Sequence, residues 1–492
     1  MNDLKERTIR GGAARVSALG FSSLLRVGSV MVLARLLEPT DFGLIGMVTA
    51  FTGVLNLFRD FGLSAATVQH ADVTEEQTST LFWINVLVGA ILAGLTVLLA
   101  HAVAAFYNEQ RLYSVTCVVA TGFLFNGAGV QHSALLQRQM RFTALALIDI
   151  VSLGVSTIVA IGAAMAGYGY WSLAAMTVSL PLTGTVGQWL ATGWVPGLPR
   201  GLAGIRSMLR FGGTVTLNGL VIYLAFNLDK VLLGRFWGTQ AIGIYGRAYQ
   251  LIRIPTDSLN STIGEVAFSA LSRIQDDPGR VRRYFLRGYS LVLALTVFIT
   301  IECALFADDV ILLLLGPKWK DAAAIFRLLA PTILVFAIAN PLGWLLNALG
   351  MVGRGLKIAL LFAPLMIAGY VVGLPRGPRG VALAFSVVMM LWVVPVVAWA
   401  VHGTGISFWD IAGVVSRPLA SGTVAVVFAV GARFLCGPLM SPLLRLLVES
   451  TVLLIVYFAV LLFAAGQRSL YLDLVQGWRA PSSDAAKSMA SA

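Results

Sequence analysis

The sequence predicts an all-α integral membrane protein of about 14 transmembrane helices. Three observations carry that expectation. Of 492 residues, 58% are hydrophobic and only 12% charged, where an ordinary soluble domain carries roughly a quarter charged residues. Apolar runs of spanning length recur from one end of the chain to the other. The basic residues fall between those runs, singly or in small groups, rather than in one patch. A helix rises about 1.5 Å per residue and the hydrocarbon core is about 30 Å thick, so about 20 apolar residues cross it.

Six runs form a first group: Ala13 to Leu33, Phe42 to Phe58, Leu81 to Ala100, Val115 to Leu136, Ala144 to Ala164 and Tyr170 to Trp189. A basic linker, GWVPGLPRGLAGIRSMLR, separates them from six more: Phe211 to Leu233, Ile242 to Leu271, Tyr289 to Leu305, Ala322 to Leu349, Leu356 to Val372 and Val381 to Val401. Two further runs follow, Ile411 to Leu435 and Leu443 to Ala465. The expected organisation is residues 1–200 for helices 1 to 6, 201–405 for helices 7 to 12, 406–470 for helices 13 and 14, and 471–492 as a tail. That tail is small and polar with nothing to bury, which predicts disorder.

Loop charge sets the orientation, because Lys and Arg are retained on the cytoplasmic side. Counting loops alternately, one side receives Lys5, Arg7, Arg10, Arg138, Arg141, Arg200, Arg206, Arg210, the group Arg273, Arg280, Arg282, Arg283 and Arg287, then Arg354, Lys357, Arg468 and Arg479. The other side receives far fewer, so both termini are expected in the cytoplasm. The opening MNDLKERTIR mixes both signs of charge and no small-x-small cleavage site follows, so the first run reads as a retained span. The net charge of +12 is scattered, which argues for topology signals rather than nucleic-acid binding. Cys117, Cys303 and Cys436 lie within or at the end of apolar runs with no CxxC spacing, and read as inert small apolar residues.

The chain repeats itself at an offset of 200 residues. VLARLLEPTDFGLIG, from Val32 to Gly46, lies over LLGRFWGTQAIGIYG, from Leu232 to Gly246, so that Leu33/Leu233, Arg35/Arg235, Gly43/Gly243 and Gly46/Gly246 coincide without a gap. Six spans separate equivalent positions, so both copies enter the membrane in the same direction. A parallel repeat of this kind is related by an axis along the membrane normal, with the substrate site expected between the halves.

Ionisable groups inside spans are costly enough to suggest function. Arg26 lies near the middle of the first span, roughly 16 Å along the axis from Arg15, and cannot easily snorkel to water. A cation facing an internal cavity is what an anionic diphosphate head group needs for charge-assisted contact. Arg26 and Arg247 are the leading substrate-binding candidates, followed by Arg15 and Arg253, which are also explained by snorkelling at an interface. Asp149 and Glu302 are candidates for a coupling ion, or else interhelical hydrogen-bonding groups. Asp229 and Lys230 read as interfacial or as paired charges. Pro255, Pro331 and Pro341 are expected to kink the eighth and tenth spans.

Enzyme signals are absent from the sequence. The four histidines, His70, His101, His132 and His402, show no HxxxH or HExxH spacing, and no phosphate-binding glycine pattern precedes a helix. No loop is long enough to house a soluble catalytic domain. The expectation is a transporter without cofactor or metal, driven by a gradient, the membrane potential or a downstream sink.

The segments LARLLEPTDFGLIGMVTAF, RDFGLSAATVQ and NLDKVLLGRFWGTQAIGIYGRAYQL resemble the polysaccharide-transporter branch, the Wzx-type oligosaccharide flippases, of the large flippase and multidrug-exporter superfamily. The resemblance covers most of the chain and is most specific in these segments. It implies two six-helix lobes around a central cavity, with two additional C-terminal helices, in the bacterial inner membrane. It implies outward movement of undecaprenyl-diphosphate-linked oligosaccharide repeat units by rocking of the lobes, with polysaccharide polymerase and chain-length machinery as further partners. Related lipid flippases line their cavity with arginines from the first, second and eighth helices, and Arg26, Arg59 and Arg247 stand at the counterparts. The acidic residues that bind cations in the exporter branch are not matched by a motif. The rival readings are a cation-coupled multidrug exporter and a peptidoglycan-precursor lipid flippase of the same superfamily. A membrane-embedded polymerase is a further rival, but enzymes of that kind resemble one another in a long periplasmic loop that this chain lacks.

Overall fold

The computed structural model describes residues 20–59, 67, 74–199, 205–436 and 441–468. Arg15 and the tail from 471 lie outside them. Among the described residues the protein is helical with no strand. The helices are α1 (20–36), α2 (Pro39–Asn56), α3 (Glu75–Tyr107), α4 (Arg111–Arg138), α5 (Phe142–Met165), α6 (Tyr170–Thr192) and α7 (Ile205–Ser272). They continue as α8 (Pro278–Leu305), α9 (Ala307–Leu314), α10 (Lys320–Leu329), α11 (Pro331–Ala348), α12 (Val352–Gly373), α13 (Gly377–Val401), α14 (Phe408–Cys436) and α15 (Pro442–Ala459).

Local chemistry sets the boundaries. At α2 the Glu38 side chain caps the helix while its backbone N–H donates to Asp41 Oδ2 at 3.0 Å, and Pro39 occupies a first-turn position where no N–H is needed. Thr74 and Gln77 make the same reciprocal cap at α3, so that helix starts at Glu75, a turn and a half before the apolar run. Asn108 ends it in the left-handed conformation at φ 55°. The runs expected as separate seventh and eighth spans form one helical element, broken at Gly238, whose φ of 78° only glycine adopts freely. The run from Ala322 to Leu349 divides instead into α10 and α11: Pro331 opens α11 at a position that tolerates a missing N–H, while Pro341 and Pro255 sit inside their helices.

Eight stretches of the described residues are long and apolar enough to cross a membrane, one of them, Gly353–Val401, comprising α12 and α13. The helices α2 and α6 are more polar and fall outside that set. For α6 the reason is visible in its sequence, where Thr177, Thr185 and Gln188 interrupt the apolar residues along one stripe.

The chain forms two compact units. One contains residues up to 262 with 314–329 and 352–392; the other contains 263–313, 330–351 and the chain from 393 onward. In the second unit α8, α14 and α15 bury a common core of Ala294, Val297, Ala425, Ala429, Leu453 and Tyr457. The Tyr457 hydroxyl donates to the Ala294 carbonyl at 2.7 Å, and Tyr289 donates to Ile338 on α11 at 3.1 Å.

The sequence repeat reappears as structure within the first unit. From 41 to 46 and from 241 to 246 the pattern of burial is the same residue by residue, with Phe42/Ile242, Gly43/Gly243, Leu44/Ile244 and Ile45/Tyr245 all buried. The two copies also meet reciprocally. A Cβ on Gly43 would lie 1.8 Å from the Thr239 carbonyl oxygen, and a Cβ on Gly243 would lie 1.9 Å from that of Pro39. Pro39 and Thr239 are themselves 200 apart, so the two contacts are equivalent under exchange of the copies. Such close backbone approach is how helices associate in lipid, where no hydrophobic force between them exists.

Beside this crossing, the Lys318 ammonium pairs with Glu38 at 2.6 Å, but both side chains are about half exposed. Trp319, fully buried, donates its Nε1 to the Ala34 carbonyl at 2.9 Å. The buried donor, not the exposed ion pair, fixes α10 to α1. Lys318→Ala is therefore expected to change stability by less than about 1 kcal/mol, as read from the thermal melt of detergent-purified protein.

Asp229 is fully buried rather than interfacial. Its carboxylate accepts from the Tyr245 hydroxyl at 2.7 Å and from the Lys230 backbone N–H at 2.8 Å. Lys230 donates to Asn227 Oδ1 at 2.7 Å and lies 5.0 Å from the centre of the Tyr249 ring. Removing the carboxylate leaves a buried hydroxyl without its acceptor. Asp229→Ala is expected to destabilise the protein by about 1–3 kcal/mol, visible as a lower melting temperature.

Candidate functional site

Polar stripes on several helices of the first unit face one another across a cavity of about 690 Å³. Each helix contributes residues spaced three or four apart, the spacing that keeps side chains on one face. On α1 these are Ser22, Arg26, Ser29 and Leu33; on α4, Asn126, Val130, Ser133 and Gln137; on α5, Asp149, Ser152 and Leu153. The α6 stripe runs through Thr177, Pro181, Thr185 and Gln188, and α7 adds Arg247 and Gln250. Phe42 and Ile45 of α2, with Arg59 just beyond it, complete the principal lining.

Hydrogen bonds between helices hold these stripes in register. Thr185 Oγ1 donates to the Phe125 carbonyl at 2.7 Å, and Trp189 Nε1 donates to the Ala128 carbonyl at 2.9 Å, which together lock α6 onto α4. Trp189 in turn packs its ring 4.5 Å from the His132 ring, whose Nδ1 bonds to the Thr192 hydroxyl at 2.7 Å.

Three of the arginines predicted from sequence, Arg26, Arg59 and Arg247, line this one cavity together with Asp149. Their formal charges sum to +2. Arg247 is held by its neighbours: its guanidinium lies 4.1 Å from the centre of the Phe42 ring and bonds to Gln250 Oε1. Phe42 is itself wedged edge-on against Trp319 at 5.3 Å. Arg59 donates to Asn126 Oδ1 at 3.3 Å, and its buried Nε has no partner. Arg26 is exposed. A guanidinium has five donors, so each of these side chains retains capacity for a ligand. The arrangement suits a bulky anion with hydroxyls: cations for the charge, and the Gln, Asn, Ser and Thr side chains for the rest.

Two other predicted residues, Arg253 and Glu302, lie elsewhere. Arg253 is absent from the lining and pairs with Asp257, four residues on, at 2.9 Å. Glu302 belongs to the second unit, where it accepts from the Ser450 hydroxyl. Sequence reasoning did not single out Asn126, Gln137, Thr185, Gln188 or Gln250. Their signal was present as polar residues at helical spacing within otherwise apolar runs.

Comparison with known proteins gives the geometry a context. The chain is 27% identical over 407 residues to the lipopolysaccharide biosynthesis protein WzxC of Escherichia coli (strain K12), covering 79% of this chain and 80% of that protein. It is 29% identical over 341 residues to the teichuronic acid biosynthesis protein TuaB of Bacillus subtilis (strain 168), covering 67% and 68%. Among solved structures, the lipid II flippase MurJ in an inward closed conformation shares the fold at a TM-score of 0.76 with 13% identity, over 93% of this chain and 99% of MurJ. An inward-facing multidrug resistance MATE transporter shares it at 0.61 with 14% identity, over 80% and 98%. The model for the polysaccharide biosynthesis protein family matches residues 32–324, more than half of the sequence. The chain belongs to the polysaccharide biosynthesis protein family.

Proposed function

We propose that this protein translocates undecaprenyl-diphosphate-linked oligosaccharide repeat units across the bacterial inner membrane, for assembly of a surface polysaccharide. The observation that carries the proposal is the convergence of Arg26, Arg59 and Arg247 on one polar cavity of about 690 Å³. That volume falls within the roughly 300–1,000 Å³ of ordinary ligand sites, which suits a diphosphate and its first sugars rather than a finished polymer. Charge-assisted bonds to the diphosphate are the strong ones, and the amide and hydroxyl stripes of α4 and α6 offer partners to sugar hydroxyls. Relatives named for the biosynthesis of lipopolysaccharide, teichuronic acid and succinoglycan support a lipid-linked sugar substrate.

In this reading the chain forms about 14 transmembrane helices, as two six-helix lobes (1–200 and 201–405) and two further helices (406–470), with both termini cytoplasmic. Alternating access comes from rocking of the lobes, and polysaccharide polymerase and chain-length machinery receive the product. No catalytic residue or cofactor is required. Arg15 is an additional cation for the head group, and Asp149, beside the arginines in the cavity, and Glu302 are candidates for the coupling ion.

Deletion of the gene tests the proposal through the sidedness of the lipid-linked intermediate. Surface polymer should disappear and the intermediate should accumulate on the cytoplasmic leaflet. Unaltered polymer with a rise in drug susceptibility would replace this reading with that of an exporter.

A further inference from the structure

The second unit holds a group of charges that the cavity does not use. Glu302 and Cys303 lie near the end of α8, Asp308 and Asp309 on α9, Arg433 on α14, and Arg445, Glu449 and Ser450 on α15. Asp308 is exposed, whereas Asp309 and Glu449 are 1% and 0% exposed. One Asp309 oxygen pairs with Arg445, and the other has no partner. One Glu302 oxygen accepts from the Ser450 hydroxyl, and the other has no partner. Neither oxygen of Glu449 has a partner. Ser450 bonds to Glu302 and so brings Glu449, the preceding residue on α15, beside it, while Arg445 reaches the same group through Asp309 and Arg433 through the Leu305 carbonyl.

We propose that Glu302 and Glu449 form a proton-binding site within the second unit. Setting aside exposed Asp308, three carboxyl groups face two guanidiniums, one of which also donates to the Leu305 carbonyl. One negative charge is left over in an apolar core that includes Leu453 and Tyr457. A single proton removes that excess and turns an orphaned oxygen into an O–H donor, for which the neighbouring carboxylate oxygens are acceptors. A metal ion fits less well. Hard cations take about six oxygen ligands, and no three acidic, His or Cys side chains converge on one point among the described residues.

In a gradient-driven transporter such a site would bind the coupling proton, and that role rests on the function proposed above. The site itself is decided without any transported substrate, by infrared spectroscopy of the purified full-length protein. The expected result is a neutral carboxylic acid band at neutral pH that shifts on isotope labelling of glutamate but not of aspartate, and that is missing from Glu449→Gln. Sodium in place of choline should leave it unchanged. The proposal is overturned if the wild type shows no such band, if the band follows aspartate labelling, or if sodium abolishes it. The labelling result holds even if a variant fails to fold. Loss of oligosaccharide transport in the wild type would count against the proposed function, not against the proton site.

Discussion

Arg247→Ala is expected to slow translocation about ten- to hundred-fold, because hydrogen bonds to a charged group are each worth about 1.5–3 kcal/mol and each 1.4 kcal/mol is a factor of ten. The guanidinium is pinned over the Phe42 ring at 4.1 Å and bonded to Gln250, so it is presented to the cavity already ordered. Ordering it beforehand lowers the entropy lost when an anion binds. Arg247→Lys keeps the charge but loses the planar fork and its stacking, and should recover only part of the rate. Flipping of a polyprenyl-diphosphate-linked oligosaccharide in proteoliposomes measures both variants. Equal rates for alanine and wild type at matched protein levels would remove Arg247 from the binding role.

Gly43→Ala and Gly243→Ala should each prevent accumulation of folded protein or lower its stability by at least about 3 kcal/mol. Overpacking a tight contact commonly costs about 1–3 kcal/mol and occasionally more. Here the obstacle is backbone: the new methyl would sit 1.8 Å from the Thr239 oxygen or 1.9 Å from the Pro39 oxygen, and neither can swing away as a flexible side chain would. The neighbouring repeat glycines provide the control. A Cβ on Gly46 meets the Ile242 side chain at an ordinary 3.5 Å, and one on Gly246 meets nothing within 4 Å. Alanine at those two positions should be tolerated or slightly stabilising, since it improves helix propensity by up to about 1 kcal/mol. Size-exclusion profiles and thermal melts of the four variants distinguish a steric crossing from a general intolerance of substitution.

Much of the molecule was legible before any coordinate. Helix existence and approximate position followed from the apolar runs, because lipid leaves the backbone no partner outside its own helix. The offset-200 repeat was visible in matched leucines, arginines and glycines, and Arg26 and Arg247 stood out as charges where charges are expensive. Arg59 came only through resemblance. Lying just past the end of α2, it carries no mid-span signal of its own, yet it reaches Asn126 on α4 and the same cavity. The polar stripe of α6 was read as part of an ordinary span, because hydropathy averages over a helix while a cavity is lined by one face of it.

By itself, then, the sequence determined that the chain is a helical membrane protein, that it contains a duplicated segment, and that Arg26 and Arg247 fall within apolar runs. Composition and periodicity suffice for those statements because the energy of placing a residue in lipid is set mainly by its own chemistry. The tertiary structure alone decided which polar residues share a cavity, that Asp229 is satisfied by Tyr245, and that Glu449 is buried without a partner beside Glu302. Those facts depend on which helix faces are brought together over separations of many tens of residues. No local pattern encodes that pairing, because it follows from the packing of the helices against one another.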